Sequence, residues 1–117
     1  MDFPTASVFK STNVTTAGTT IIVASSATSA IYVTGLIVNN GAAAGLAYFG
    51  YGTSATAPTT SAILINTTYL AVNTAVNFSC TDYNLPFVVK VPAGQNFLMT
   101  AATCSTLTLH CAYYLAG

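Results

Sequence analysis

The sequence predicts an all-β protein, an antiparallel β-sandwich or barrel with about eight short strands. Three observations carry this. Apolar and polar residues alternate with period two along the C-terminal stretch, turn residues recur every 8 to 12 positions, and no stretch has helical periodicity. With 117 residues the chain has room for one domain.

The strands are read in order. Residues 19–24 and 30–39 are rich in β-branched side chains, which suit a pleated surface. Gly35 inside the second run suggests a bulge, so Ile31 and Val33 are not expected to share a face with Ile37. Asn39-Asn40-Gly41 reads as a turn, since Asn and Gly tolerate positive φ. Residues 46–51 form the next strand, and Gly50, Gly52 and Ala57-Pro58 break the chain into a longer loop. Residues 62–66 and 69–72 are two further short candidates. Val76, Phe78 and Cys80 then alternate with Asn77 and Ser79, and Phe87, Val89 and Val91 with Val88 and Lys90. Val91-Pro92-Ala93-Gly94-Gln95 reads as strand, tight turn, strand, with residues 97–101 following. In the last run Leu107, Leu109, Cys111, Tyr113 and Leu115 face one way, while Thr106, Thr108, His110, Ala112 and Tyr114 face the other.

Residues 1–18 show no sustained period, although Phe3, Val8 and Phe9 are apolar. Two readings stand side by side: an extended N-terminal arm reaching a neighbouring subunit, with the sandwich over residues 19–117, or an irregular first strand of the same domain.

Charge is scarce. Asp2, Lys10, Asp82 and Lys90 are the whole complement, 3% of the chain against a usual share of about 25%. A surface of Thr, Ser, Asn and Ala costs little to desolvate, because few ions must be stripped of water. This points to a protein whose exterior is covered by protein partners. Two basic residues cannot neutralise a row of phosphates, so nucleic acid is not an expected partner. Nor is a membrane: residues 20–38 are uncharged but hold Ser25, Ser26, Thr28, Ser29 and Thr34, unlike a spanning helix. The N-terminus has no basic stretch followed by an apolar core, so folding in a cytoplasm is expected. On that ground the acceptor patterns Asn13-Val14-Thr15, Asn66-Thr67-Thr68 and Asn77-Phe78-Ser79 are discounted as glycosylation sites.

Catalytic chemistry finds few candidates. His110 is the only histidine, on the outward face of the last strand, and a triad needs a nucleophile and a carboxylate beside it. No enzymatic activity, no cofactor and no metal site is expected. Cys80, Cys104 and Cys111 lack metal-like spacing, and buried thiols are favoured over a disulfide to Cys80. The seven tyrosines offer flat amphipathic contacts. The candidate interface residues are Phe3, Val8, Phe9, Tyr48, Tyr51, Tyr83, His110 and Tyr114.

Two stretches resemble small virion proteins of tailed bacteriophages. Residues 31–41, Ile-Tyr-Val-Thr-Gly-Leu-Ile-Val-Asn-Asn-Gly, are similar to their early strand ending in an Asn-rich turn. Residues 89–98, Val-Lys-Val-Pro-Ala-Gly-Gln-Asn-Phe-Leu, are similar to their late Pro-Ala-Gly hairpin. The resemblance implies a jelly-roll-like protein that decorates or cements a phage head from outside, as a homo-oligomer, commonly a trimer, against the major capsid protein. Assembly in the host cytoplasm is implied as well. It assigns no site residue. A tail or head-fibre module binding host glycans, and a cellular β-sandwich adhesin subunit, are the alternative readings.

Overall fold

The computed structural model describes residues 8–14, 18–41, 43–53, 64–79, 87–101 and 106–116, and all of the regular structure in them is β-strand. The strands are β1 (Val8–Val14), β2 (Gly18–Val23), β3 (Ala30–Asn40), β4 (Gly45–Gly52), β5 (Leu64–Leu70), β6 (Ala75–Ser79), β7 (Val89–Val91), β8 (Asn96–Ala101) and β9 (Leu107–Ala116). They form two antiparallel sheets. One has the order β1-β9-β3-β6 with β7 also on β3, and the other has the order β2-β8-β4-β5.

β6 and β7 lie end to end on the same flank of β3, against Gly35–Asn39 and Ile31–Val33 respectively. Taken as one interrupted strand, they leave eight. These pair as a nested hairpin: β4 with β5, β3 with β6 and β7, β2 with β8, and β1 with β9. This double-layered nesting is a jelly roll, the form of sandwich that the resemblance implies.

Between the sheets lies a single core. Ile31, Val33, Leu36, Val38, Leu107, Leu109 and Cys111 come from the first sheet, and Ala47, Phe49, Phe97, Met99 and Ala101 from the second. Phe49 bridges them, its ring 6.4 Å from Phe97 beside it and 6.4 Å, edge-on, from Phe78 opposite. The bulge expected at Gly35 is present: the β3–β9 register shifts between Val33 and Gly35. Its effect is to keep apolar residues inward on both sides. Ile31 and Val33 are buried, Leu36 and Val38 take over after the shift, and Ile37 points out, 39% exposed. Without the extra residue, Leu36 and Val38 would turn to solvent.

Two buried asparagines tie loops to the sandwich ends. Asn40 Nδ2 donates to the carbonyls of Ala43 (2.9 Å), Leu70 (3.2 Å) and Ala71 (2.9 Å). Asn96 Oδ1 accepts from the Ser25 amide at 2.8 Å while its Nδ2 donates to the Gly52 carbonyl at 3.2 Å.

Several expectations are corrected. Val8–Val14 is a strand paired residue by residue with Leu107–Tyr113, so the sandwich begins before residue 19 and these residues are no free arm. The part of the arm reading that concerns residues 1–7, Phe3 included, lies outside the described residues, as does Tyr83. The two candidates at residues 62–66 and 69–72 are one strand, Leu64–Leu70. Asn39 and Asn40 are the end of β3, and Gly41 is not in the left-handed region; positive φ occurs at Gly18, Gly94 and Asn73. Gly41 is required for space instead. A Cβ there would sit 3.1 Å from both the Cβ and the carbonyl of Thr106. Gly94, at φ 82°, is the third residue of a turn closed by the Gln95 amide on the Pro92 carbonyl. That turn joins strands of opposite sheets, so the Pro-Ala-Gly segment is a crossover and not a hairpin. Leu115, assigned inward by alternation, is 47% exposed where β9 runs past the core.

Candidate interaction face

The outer face of the β1-β9-β3-β6 sheet gathers the unusual surface chemistry. Alternation dictates which side chains reach it. From β1 come Phe9, Ser11 and Asn13; from β9 come Thr108, His110, Ala112 and Tyr114; from β3 come Tyr32, Gly35, Ile37 and Asn39; from β6 come Asn77 and Ser79. The register sets them in rows across the sheet: Phe9–Ala112–Gly35–Ser79, then Ser11–His110–Ile37–Asn77.

Side-chain size along these rows carves a relief. Ala112 and Gly35 leave the first row low in the middle, where a Cβ on Gly35 would be 3.8 Å from the Ala112 Cβ. Phe9, 77% exposed, stands at one end of that row. The result is a shallow groove of about 400 Å³ reaching from Phe9 to Asn77, with Ser11 and His110 at its β1 side.

Beyond the low row stands an aromatic stack. Tyr114 and Tyr32 lie opposite each other on β9 and β3, ring centroids 4.8 Å apart and planes 3° from parallel. Phe87 meets Tyr32 edge-on at 5.3 Å, and Lys90 Nζ sits over the same ring, 5.5 Å from its centroid. Flat parallel rings with a cation over the outer one combine dispersion with attraction to the ring quadrupole.

His110 is exposed and shares a hydrogen bond of 2.8 Å between its Nδ1 and Ser11 Oγ. The described residues contain no carboxylate, so nothing among them orients the imidazole as an acid–base relay requires. The sheet N–H groups beside it are committed to the ladder and do not converge on an oxyanion position. Among the described residues no three His, Cys, Asp or Glu side chains come together as metal ligands. Cys111 lies on the opposite side of the sheet, in the core, where burial pushes its thiol up to about 12 although nearby Lys10 acts in the other direction. What the face can do is dock. It is amphipathic, and the one charged side chain it carries among the described residues is Lys90, over the Tyr32 ring.

The candidate residues separate accordingly. Phe9, His110 and Tyr114 are brought together on this face. Tyr48 is on the outer face of the other sheet with Leu46, Tyr69 and the Thr19–Thr100 hydroxyl pair at 2.7 Å. Tyr51 points inward and packs on the core, and Val8 sits at the inward side of edge strand β1, 37% exposed. Sequence reasoning missed Tyr32, Lys90, Gly35 and Ile37 as members of the face. The signal for Tyr32 was present, since it alternates with Ile31 and Val33. Its pairing with Tyr114 spans 82 positions and could not be read locally.

No family model, no curated protein and no solved structure matches this chain.

Proposed function

We propose that the chain is a structural virion protein that decorates or cements a bacteriophage capsid through protein–protein contacts. It acts as a homo-oligomer, a trimer in the form the resemblance implies, and binds the major capsid protein on the capsid exterior after assembly in the host cytoplasm. The observation that carries this reading is the near-uncharged surface. One whole sheet face presents Ser, Thr, Asn, Ala and aromatic groups, with Lys90 its one charged side chain among the described residues. Such a face loses little hydration energy when covered, whereas a freely soluble monomer ordinarily keeps ions there. The jelly-roll frame suits the role physically, because two packed sheets give a rigid body whose two broad faces can meet different neighbours.

Phe9 and Tyr69, 77% and 62% exposed, favour a second reading. Exposed rings of this kind can stack on sugars, as a tail or head-fibre module binding host glycans requires.

One experiment separates the two. Native mass spectrometry of the purified protein is combined with co-sedimentation on assembled heads and with a glycan-binding screen. The cement reading expects an oligomer that sediments with heads and is indifferent to glycans. A stable monomer that ignores heads and binds glycans would overturn it.

A further inference from the structure

We propose that the Asn40-Gly41 peptide is a self-modification site that the folded chain holds silent. When this end of the sandwich opens, the Gly41 nitrogen attacks the Asn40 side chain, and the acidic product no longer fits the fold. This chemistry does not depend on what the chain binds.

The sequence contains one Asn-Gly pair. In an open chain such a pair is the most reactive setting for asparagine, because glycine has no Cβ to shield its amide nitrogen. The Gly41 nitrogen bonds to Asn40 Cγ, the Cγ–Nδ2 bond breaks, and a five-membered imide remains. Nδ2 leaves as ammonia, taking up in net the proton that the Gly41 nitrogen gives up. Water then opens the imide. Breaking the new N–Cγ bond leaves aspartate at position 40. Breaking the bond to the main-chain carbonyl carbon leaves isoaspartate, with the chain running through the former side chain. No oxidation or reduction occurs, and water is the only co-reactant.

Packing demands each member of the pair separately. Asn40 Nδ2 serves the carbonyls of Ala43, Leu70 and Ala71. Gly41 is needed for space, since a Cβ there would meet Thr106 at 3.1 Å on side chain and backbone alike. Two independent structural requirements thus place the reactive residues side by side.

The same contacts keep the pair from reacting. Asn40 ends β3, opposite Leu107. An extended ψ, about +135° in antiparallel strands, keeps the next nitrogen out of the eclipsed position that ring closure requires. The Gly41 amide donates to the Thr106 carbonyl at 3.0 Å, so the nucleophile is committed. Nδ2, the leaving group, is held by its three carbonyls. Asn40 Oδ1 is buried with no donor among the described residues, so the negative charge that attack places on it would go unsupported.

Once made, the change is one-way. An aspartate at position 40 turns acceptor oxygens toward three carbonyls and cannot replace the lost donor. Isoaspartate also lengthens the backbone where β3 pairs with β9.

The test uses the unmodified full chain at mildly alkaline pH and one temperature, in native buffer and in guanidinium chloride. Conversion at each asparagine is followed by peptide mass spectrometry, with isoaspartate read by enzymatic methylation. In guanidinium, Asn40 is expected to convert ahead of every other asparagine. In native buffer its conversion should be at least about tenfold slower, because it waits on the opened form. Equal rates in the two conditions would overturn the proposal, as would another asparagine reacting first in the unfolded chain. Gly41→Ala, compared in guanidinium where its folding is immaterial, should slow the conversion several-fold; an unchanged rate would refute attack by that nitrogen. Asn40→Asp, the aspartate product made directly, should unfold at a lower guanidinium concentration than the unmodified chain at neutral pH, or fail to fold. Equal stability would overturn the one-way character of the change.

Discussion

Tyr32 and Tyr114, 82 positions apart in sequence, lie face to face across β3 and β9 with their rings 4.8 Å apart and nearly parallel. The contact pins the N-terminal half of β3 to the C-terminal half of β9, the two central strands of the sheet. A double-mutant cycle on Tyr32→Ala and Tyr114→Ala in urea should give a coupling of about 1 kcal/mol beyond the burial each ring loses alone. Lys90→Met should cost only about 0.5 kcal/mol, because Lys90 is exposed and contributes mainly through the Tyr32 ring. A coupling near zero would mean that the rings are neighbours without being partners.

Asn40 is the most consequential buried polar residue. The two hydrogens of its amide nitrogen are shared among three carbonyls, so Asn40→Ala leaves them without that donor and should cost about 2–3 kcal/mol in denaturant unfolding. Asn40→Asp should be worse at neutral pH, since a carboxylate can only accept and would face three acceptors. Burial raises the pKa of that carboxyl in the folded state. Its relative stability is therefore highest below the unfolded carboxyl range and falls as pH rises. A variant whose stability is flat from pH 4 to 7 would contradict this geometry.

Cys111 supplies a pH prediction for the native chain. Its thiol is raised from 9.0 to about 12, first by desolvation. The folded state thus holds the proton after the unfolded chain has released it. The stabilisation is fully present below pH 9 and is lost progressively between about 9 and 12. Comparing wild type with Cys111→Ala over that window removes the common effect of lysines and tyrosines. The wild type should lose more stability than the variant on going alkaline, although the variant starts lower because of its cavity. The native thiol should also resist alkylation until the protein unfolds.

Glycine substitutions should sort by space. Gly41→Ala meets Thr106 at 3.1 Å on side chain and backbone together and should destabilise by about 1–2 kcal/mol. Gly94→Ala is strained at φ 82° whatever the space and should cost about 1 kcal/mol. Gly35→Ala has ordinary contacts and should be close to neutral. Thermal unfolding of the three variants gives the order directly.

Strands with one face in the core announced themselves: Leu107, Leu109 and Cys111 alternate with Thr108 and His110 because burial of one face imposes it. Val8–Val14 did not, because on this edge strand the inward positions are Val8, Lys10, Thr12 and Val14, and only Val14 is buried. An inward lysine blunts a sheet edge against pairing and also erases the hydrophobic pattern. Thr67 and Thr68 similarly read as a break inside what is a continuous β5. Within the interaction face, Phe9, His110 and Tyr114 were accessible from local pattern. The groove was not, since its floor depends on Gly35 and Ala112 meeting across strands in a register that the bulge shifts.

The decisive measurement for a capsid-decorating role is binding to an assembled head. Purified chain is added to heads that lack it, and occupancy is read by co-sedimentation and by cryo-electron microscopy of the shell. Saturable binding at symmetric positions on the outer surface is expected, little weakened by raising salt, because the docking surfaces carry few charges. A chain that leaves the heads bare, or whose attachment disappears as salt rises, would contradict it.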